Sequence, residues 1–350
     1  MRAAVFYNAK DIRVEDVETP EVNKGKVKVK VAWAGICGSD LHEYNAGPIF
    51  IPEGEASPLT DQKAPLTMGH EFSGTVEELG EGVEGLSVGD KVTINPLITQ
   101  GTHENPLIDM YNGFTFVGLG SDGGFADYVL VDRKNVVKLD QSTSLELGAL
   151  VEPTAVALQA IRESEMQFSD SVAVFGAGPI GLLTIIAARA AGAKDIFAFD
   201  LSDERLKKAK EVGATHAVNS GNQDPVEYIH QYYPDGVDRT FEVAGVGITV
   251  NQSIKATRAR GMVTIVSIFE KPIELNPMDL TASGVRIAST LAYEPDIFEA
   301  TVKMIETGQI DPFPVITDHI ELNEIVDKGF EALLNDKSQS KILVRLGGEK

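Results

Sequence analysis

Residues 26–33, KVKVKVAW, alternate apolar and polar positions, which predicts a strand with Val27, Val29, Val31 and Trp33 on one face and lysines on the other. EFSGTVEELG (71–80) and GGFADYVLV (123–131) read as further strands bounded by glycine, and NAGPIFIPEGEASPLT (45–60) as a Gly- and Pro-punctuated loop. Strands this short and frequent predict a barrel-like β module over the first third of the chain.

From Ser171 the period changes. SVAVF (171–175) is a short apolar strand, PIGLLTIIAARAAGA (179–193) a helix, DIFAFD (195–200) a strand and SDERLKKAKEVGA (202–214) a helix capped by Ser202. The alternation continues through THAVN, PVEYIHQYY, GVDRTFEVAG, GITVNQSIKATR, GMVTIVSI and GVRIASTL. It predicts an α/β fold with a doubly wound parallel sheet beside the β-rich module. Beyond Tyr293, helical stretches DIFEATVKMIETG (296–308) and ELNEIVDKGFEALLN (321–335) lead to a last strand, KILVRL (341–346). This tail is too short to fold alone and is expected to pack back on the first module. The expected domains are 1–155 with 292–350, and 156–291.

Composition narrows the setting. With 43% hydrophobic and 24% charged residues, the 350-residue chain is an ordinary globular sequence. A single cysteine excludes an internal disulfide and points to a reducing compartment, and MRAAVFYNAK has no apolar signal region, so a cytoplasmic location is expected. The net charge of −21 argues against a nucleic-acid partner. The longest apolar run is broken by Arg189 and is too short for a bilayer, so no membrane partner is expected.

FGAGPIG places G-x-G-x-x-G at Gly176, Gly178 and Gly181, directly after a strand and opening a helix, with Pro179 and Ile180 inside it. Gly176 allows the tight turn, Gly178 lets the backbone approach a pyrophosphate, and Gly181 lets helix and sheet pack closely. The next strand ends at Asp200, a carboxylate placed to accept from a ribose 2′-hydroxyl and to repel a 2′-phosphate. NAD is therefore favoured over NADP, with Arg205 the one residue that softens the preference. Ser267, after GMVTIV, is expected near the nicotinamide.

Cys37, the lone cysteine, lies in GICGSDLHEYNAGPIFIP. His42 and His70 share its module beside glycine turns, whereas His103, His216, His230 and His319 read as surface histidines. A catalytic zinc needs a few N, S and O ligands and one open position. Cys37 and His70 supply two, and Glu71 or Glu152, an acid in the apolar segment GALVEPTAVALQA, supplies the carboxylate. Spacing alone leaves a buried bystander and a Cys–His nucleophile open as alternatives.

GICGSDLHEY, GHEFSGTVEELGEGVEGLSVGDKV, GALVEPTAVALQA, VFGAGPIGLL and KILVRL follow the order seen in zinc-dependent medium-chain dehydrogenases, and the resemblance covers essentially the whole chain. It implies a GroES-like barrel domain joined to a Rossmann domain. It also implies Cys37, His70 and Glu152 as zinc ligands, Glu71 as an exchangeable alternate, Arg345 as its partner when off the metal, and Asp40 as the acid orienting His70. Many such enzymes carry four clustered cysteines for a structural zinc. Residues 95–120, the matching region, contain none, so one catalytic zinc per chain is expected.

The chemistry implied is hydride transfer to NAD from an alcohol whose oxygen zinc polarises. Ser39 takes the hydroxyl proton and passes it by way of the nicotinamide ribose to His42, three residues on along one helix face. LHEYNAGPIFIP is similar to the butanediol dehydrogenases of the polyol branch, which implies 2,3-butanediol, acetoin and diacetyl as substrates, with Tyr44, Ile49 and Phe50 lining the pocket. Sorbitol, another polyol or threonine is the alternative substrate. A zinc-free quinone or enone reductase and an NAD-binding structural or regulatory protein are the competing readings. A homodimer or homotetramer through the sheet edge near GVRIASTL is expected.

Overall fold

The computed structural model describes residues 1–347, apart from the side chains of residues 106 and 107. The chain divides into two units. The first comprises Met1–Glu152, Glu294–Thr307 and Ile316–Lys350, the second Pro153–Tyr293 and Gly308–Val315.

The first unit is built on a mainly antiparallel sheet whose strands run Val136–Lys138, Lys91–Ile94, Glu71–Leu79, Lys26–Gly35, Lys341–Arg345 and Ile316–Glu321, with Tyr128–Asp132 also pairing on Lys26–Gly35. The alternation read from residues 26–31 holds: Val27, Val29 and Val31 are fully buried. Trp33 departs from it. The register shifts between Val31 and Trp33, so Ala32 and Ala34 are buried while Trp33 turns half-outward, edge-on to His319 at 5.1 Å. One residue inserted in a strand reverses the facing of everything beyond it.

The last strand, Lys341–Arg345, pairs antiparallel with Lys26–Gly35 and parallel with Ile316–Glu321. Residues 321–335, read as one helix, form a 3-10 turn (Leu322–Glu324), a π-helical turn (Ile325–Phe330) and a short α-helix (Glu331–Asn335). Within 95–120, the Asp109 carboxylate accepts the backbone N–H groups of Gly101, Thr102 and His103 at 2.7, 2.8 and 3.1 Å.

Among the described residues the second unit holds a six-stranded, all-parallel sheet. Its order is His216–Asn219, Asp195–Asp200, Ser171–Phe175, Val237–Glu242, Thr257–Ile265 and Arg286–Ser289. Ser171–Phe175, the first strand in sequence, lies in the middle, and the chain crosses to its other side after His216–Asn219. The carboxyl ends of Ser171–Phe175 and Val237–Glu242 therefore flank the switch point, where open α/β sheets bind ligands.

Candidate zinc and dinucleotide sites

Cys37 ends the turn after strand Lys26–Gly35 and caps helix Gly38–Ala46, whose unpaired amides and dipole favour negative charge at that end. Asp40, fully buried in the first turn, accepts the Cys37 N–H with one oxygen at 2.9 Å. Its other oxygen faces His70 Nδ1 at 3.3 Å, and neither atom has another partner. His70 is buried just before strand Glu71–Leu79, and its Nε2 lies 3.2 Å from Ser39 Oγ. Burial opposes charging of this imidazole, but the charges of Asp40 and Cys37 outweigh it and hold the metal-free group well above its ordinary range.

Glu71 is fully buried beside His70. Donor atoms of Cys37, His70 and Glu71 all lie within 4.8 Å of one another. One sulfur, one imidazole nitrogen and one carboxylate, converging, with an acid facing the imidazole's Nδ1, fit zinc in chemistry and in number. Glu152 is also buried, in the first turn of helix Val151–Glu163, near enough for its charge to act on Lys341.

The partner of Glu71 corrects the expectation drawn from the resemblance. It is Lys341, not Arg345. Lys341 is 1% exposed, and its Nζ lies 2.8 and 2.5 Å from the two Glu71 oxygens and 3.1 Å from the Ile36 carbonyl. Strand register decides this. Arg345 pairs with Trp33, at the end of the ladder away from Cys37, and its guanidinium approaches Glu321 at 3.7 Å. The two cations stand four strand positions apart, roughly 13 Å. The available sequence signal was a second cation, Lys341, opening the strand that Arg345 closes.

Helix Gly38–Ala46 carries the rest of the predicted constellation. His42 is half-buried one turn beyond Ser39. Tyr44 is 4% exposed, donates to Glu331 at 2.6 Å and packs on Phe330 at 5.0 Å, so it anchors the helix rather than lining an open pocket. Ile49 is 52% exposed and Phe50 half-buried. Glu43, which sequence reasoning missed, is fully buried and binds the backbone of residues 49–51.

In the second unit, strand Ser171–Phe175 runs into the turn that opens helix Pro179–Ala190, with Gly178 at its N-cap. A methyl at Gly181 would collide with the Gly176 carbonyl, so only glycine lets the helix start so close to the turn. Beyond its chain neighbours, the atom nearest to where a methyl on Gly178 would stand is in the Arg205 guanidinium, 4.0 Å away. A helix start with no side-chain cap, beside a guanidinium, makes a cradle that fits a pyrophosphate. Asp200 closes the turn: one oxygen accepts the Ala177 N–H at 2.8 Å and the other the Ser202 N–H at 2.9 Å. Ser267 donates to Glu242, a second buried acid that the sequence reading missed. Glu242 also accepts from the amides of Ala244 and Gly245, each at 2.9 Å, and from the Thr249 hydroxyl at 2.7 Å.

These two constellations agree with the comparisons to known proteins. Residues 23–141 match the alcohol dehydrogenase GroES-like domain, and residues 179–307 the zinc-binding dehydrogenase domain. The chain is 48% identical to (R,R)-butanediol dehydrogenase of Bacillus subtilis (strain 168), over 99% of each chain. It is 39% identical to (R,R)-butanediol dehydrogenase of Neisseria gonorrhoeae, over 98% of this chain and 99% of that one. The crystal structure of 2R,3R-butanediol dehydrogenase from Bacillus subtilis superposes with a TM-score of 0.94 at 46% identity, covering 99% of both. With a barrel module, a thiolate–imidazole–carboxylate cluster and a dinucleotide turn in that order, the chain belongs to the zinc-binding dehydrogenases of the medium-chain alcohol dehydrogenase family.

Proposed function

We propose that this protein is a zinc- and NAD-dependent dehydrogenase that interconverts 2,3-butanediol and acetoin, and also reduces diacetyl. The observation that carries the reading is the Cys37–His70–Glu71 cluster, its histidine and glutamate buried and Cys37 partly so, with Ser39 against it, in a chain similar over its full length to butanediol dehydrogenases. Residues 1–155 and 292–350 then form the GroES-like catalytic domain and 156–291 the Rossmann NAD-binding domain.

Bound zinc supplies a Lewis acid for the substrate oxygen, and NAD the hydride acceptor. The chain's own residues do the rest. Cys37 and His70 hold the metal with one carboxylate. Because Lys341 engages both oxygens of Glu71, Glu152 is assigned as the carboxylate ligand at rest and Glu71 as the alternate. Asp40 fixes the His70 ring through Nδ1 and leaves Nε2 toward the cluster. Ser39 takes the substrate hydroxyl proton, and His42, one turn along the same helix, moves it on toward water.

Gly176, Gly178, Pro179, Ile180 and Gly181, with Arg205 beside Gly178, seat the pyrophosphate, Asp200 the adenosine ribose, and Ser267 the nicotinamide side. Strand Arg286–Ser289 pairs on one side only, with Thr257–Ile265, and carries the exposed Ile287 on an open edge; this edge is the proposed homodimer or homotetramer contact. No helix among the described residues is long and apolar enough to cross a membrane. The single cysteine favours a cytoplasmic setting.

The test is NAD-linked turnover of (R,R)-2,3-butanediol and acetoin, with zinc measured on the same sample, for the wild-type protein and Cys37→Ser. Expected are about one zinc per chain and loss of both metal and activity in the variant. Full activity in metal-free protein, or equal rates on unrelated primary alcohols, overturns the reading.

A further inference from the structure

Glu43 lies one turn beyond Ser39 on helix Gly38–Ala46 and is fully buried. An isolated carboxylate in that position would be costly. Three successive amides offset the cost: Glu43 accepts the N–H of Ile49 at 2.9 and 3.1 Å, of Phe50, and of Ile51 at 3.1 Å. Consecutive N–H groups converging on one anion form a concave nest, here filled by the protein's own side chain.

The chain returns to Glu43 because it turns at Gly47, whose N–H bonds the Glu43 carbonyl at 2.8 Å. A methyl at Gly47 would collide with both that carbonyl and the Glu43 carboxylate. Tyr44, the next residue, pins the same helix through Glu331, which also pairs with Lys10 at 3.2 Å. Helix and loop are thereby held as one body. Ser39 and Glu43 are four residues apart, hence on one face and about 6 Å from each other. The segment clasped by Glu43 is therefore suspended one helical turn from Ser39 and His70. It anchors by Ile51, 3% exposed, with half-buried Phe50 packed against the same core, and leaves Ile49 exposed.

We propose that Glu43 is a positioning residue for substrate selectivity: by clasping residues 49–51 it holds Ile49 and Phe50 as a fixed apolar wall one helical turn from Ser39, which admits the methyl ends of a four-carbon diol or acyloin and rejects longer chains. The proposal rests on the diol dehydrogenase reading. It gives the wall a rigidity that side-chain packing of Phe50 and Ile51 alone does not supply, because the clasp fixes the backbone of residues 49–51 itself.

The experiment compares kcat/KM for (R,R)-2,3-butanediol and for 3,4-hexanediol, one methylene longer at each end, on zinc-loaded protein with NAD. The variants are Glu43→Gln, which replaces one acceptor by a donor facing the three amides, and Gly47→Ala, which forces the clasp apart with Glu43 retained. Each is expected to lower the butanediol-to-hexanediol ratio about tenfold, through KM more than kcat, with zinc content and NADH affinity unchanged. The ratio does not depend on the fraction of active protein, so a general loss of stability leaves it in place. A wild-type ratio in either variant overturns the proposal, and if Glu43→Gln does not fold, Gly47→Ala decides alone. Absence of turnover on both diols by the wild-type protein overturns the diol reading itself, and the proposal with it.

Discussion

Substituting Lys341 by methionine keeps the length of the side chain and removes its charge. Burial by itself depresses an ammonium, but the charges of Glu71 and Cys37, the hydrogen bond to Glu71 and the charge of Glu152 outweigh it and raise Lys341 above its ordinary 10.5. In Lys341→Met the fully buried Glu71 carboxylate keeps its place and loses its cation. Removing one member of a buried pair costs about 3–5 kcal/mol, whereas replacing both members is close to neutral. Lys341→Met is therefore expected to destabilise the first unit by that amount, and Lys341→Met with Glu71→Gln to recover at least about 2 kcal/mol of it.

Trp33 is the only tryptophan and lies in the strand that pairs with Lys341–Arg345, so its fluorescence follows this unit in urea. At a slope of about 3 kcal/mol per molar, the single variant shifts the midpoint down by roughly 1–1.7 M. A group whose folded value is raised contributes fully below its unfolded value and loses the contribution as pH rises through the folded one. The gap between wild type and variant should thus be constant from neutrality to about pH 10 and close only above that. A single-variant midpoint within about 0.3 M of wild type, or a double variant no more stable than the single, refutes the argument.

Three further expectations follow from other contacts. Asp200→Ser removes the acid beside the dinucleotide turn and should raise kcat/KM for NADP relative to NAD at least about tenfold; an unchanged ratio would place the ribose elsewhere. Asp109 is held well below the usual carboxylate range, chiefly by the Thr99 hydroxyl and then by the amides of Thr102 and Gly101, against burial. Its contribution is present above the unfolded carboxylate value and lost as pH falls through the lowered one. Amides 101–103 should stay protected from hydrogen exchange at pH 5 and become about tenfold faster in Asp109→Asn, and equal rates in both proteins would contradict the clasp. Ile287→Lys puts a charge on the open sheet edge and should reduce the oligomer seen by sedimentation; an undisturbed oligomer moves the contact away from that edge.

Local pattern determined a good deal about this protein. The period-2 run at 26–31, the alternation of strand and helix from Ser171, and glycines at 176, 178 and 181 ahead of Asp200 each follow from neighbouring residues. They therefore announced the barrel module, the parallel sheet and the dinucleotide turn before any packing was known. Cys37 and His70 stood out by residue type, but nothing local says that side chains 33 positions apart meet. Antiparallel pairing of Gly35 with Glu71 brings them together.

Tertiary structure decided the rest wherever register or burial counted residues differently from the local period. A shift after Val31 turned Trp33 outward, the ladder chose Lys341 over Arg345 for Glu71, and a chain reversal at Gly47 gave Glu43 three amides it could not have found within its own helix. The common cause is physical. A buried charge is tolerated only where distant backbone and side chains converge on it, and that convergence is a property of the folded ladder, not of any stretch of sequence.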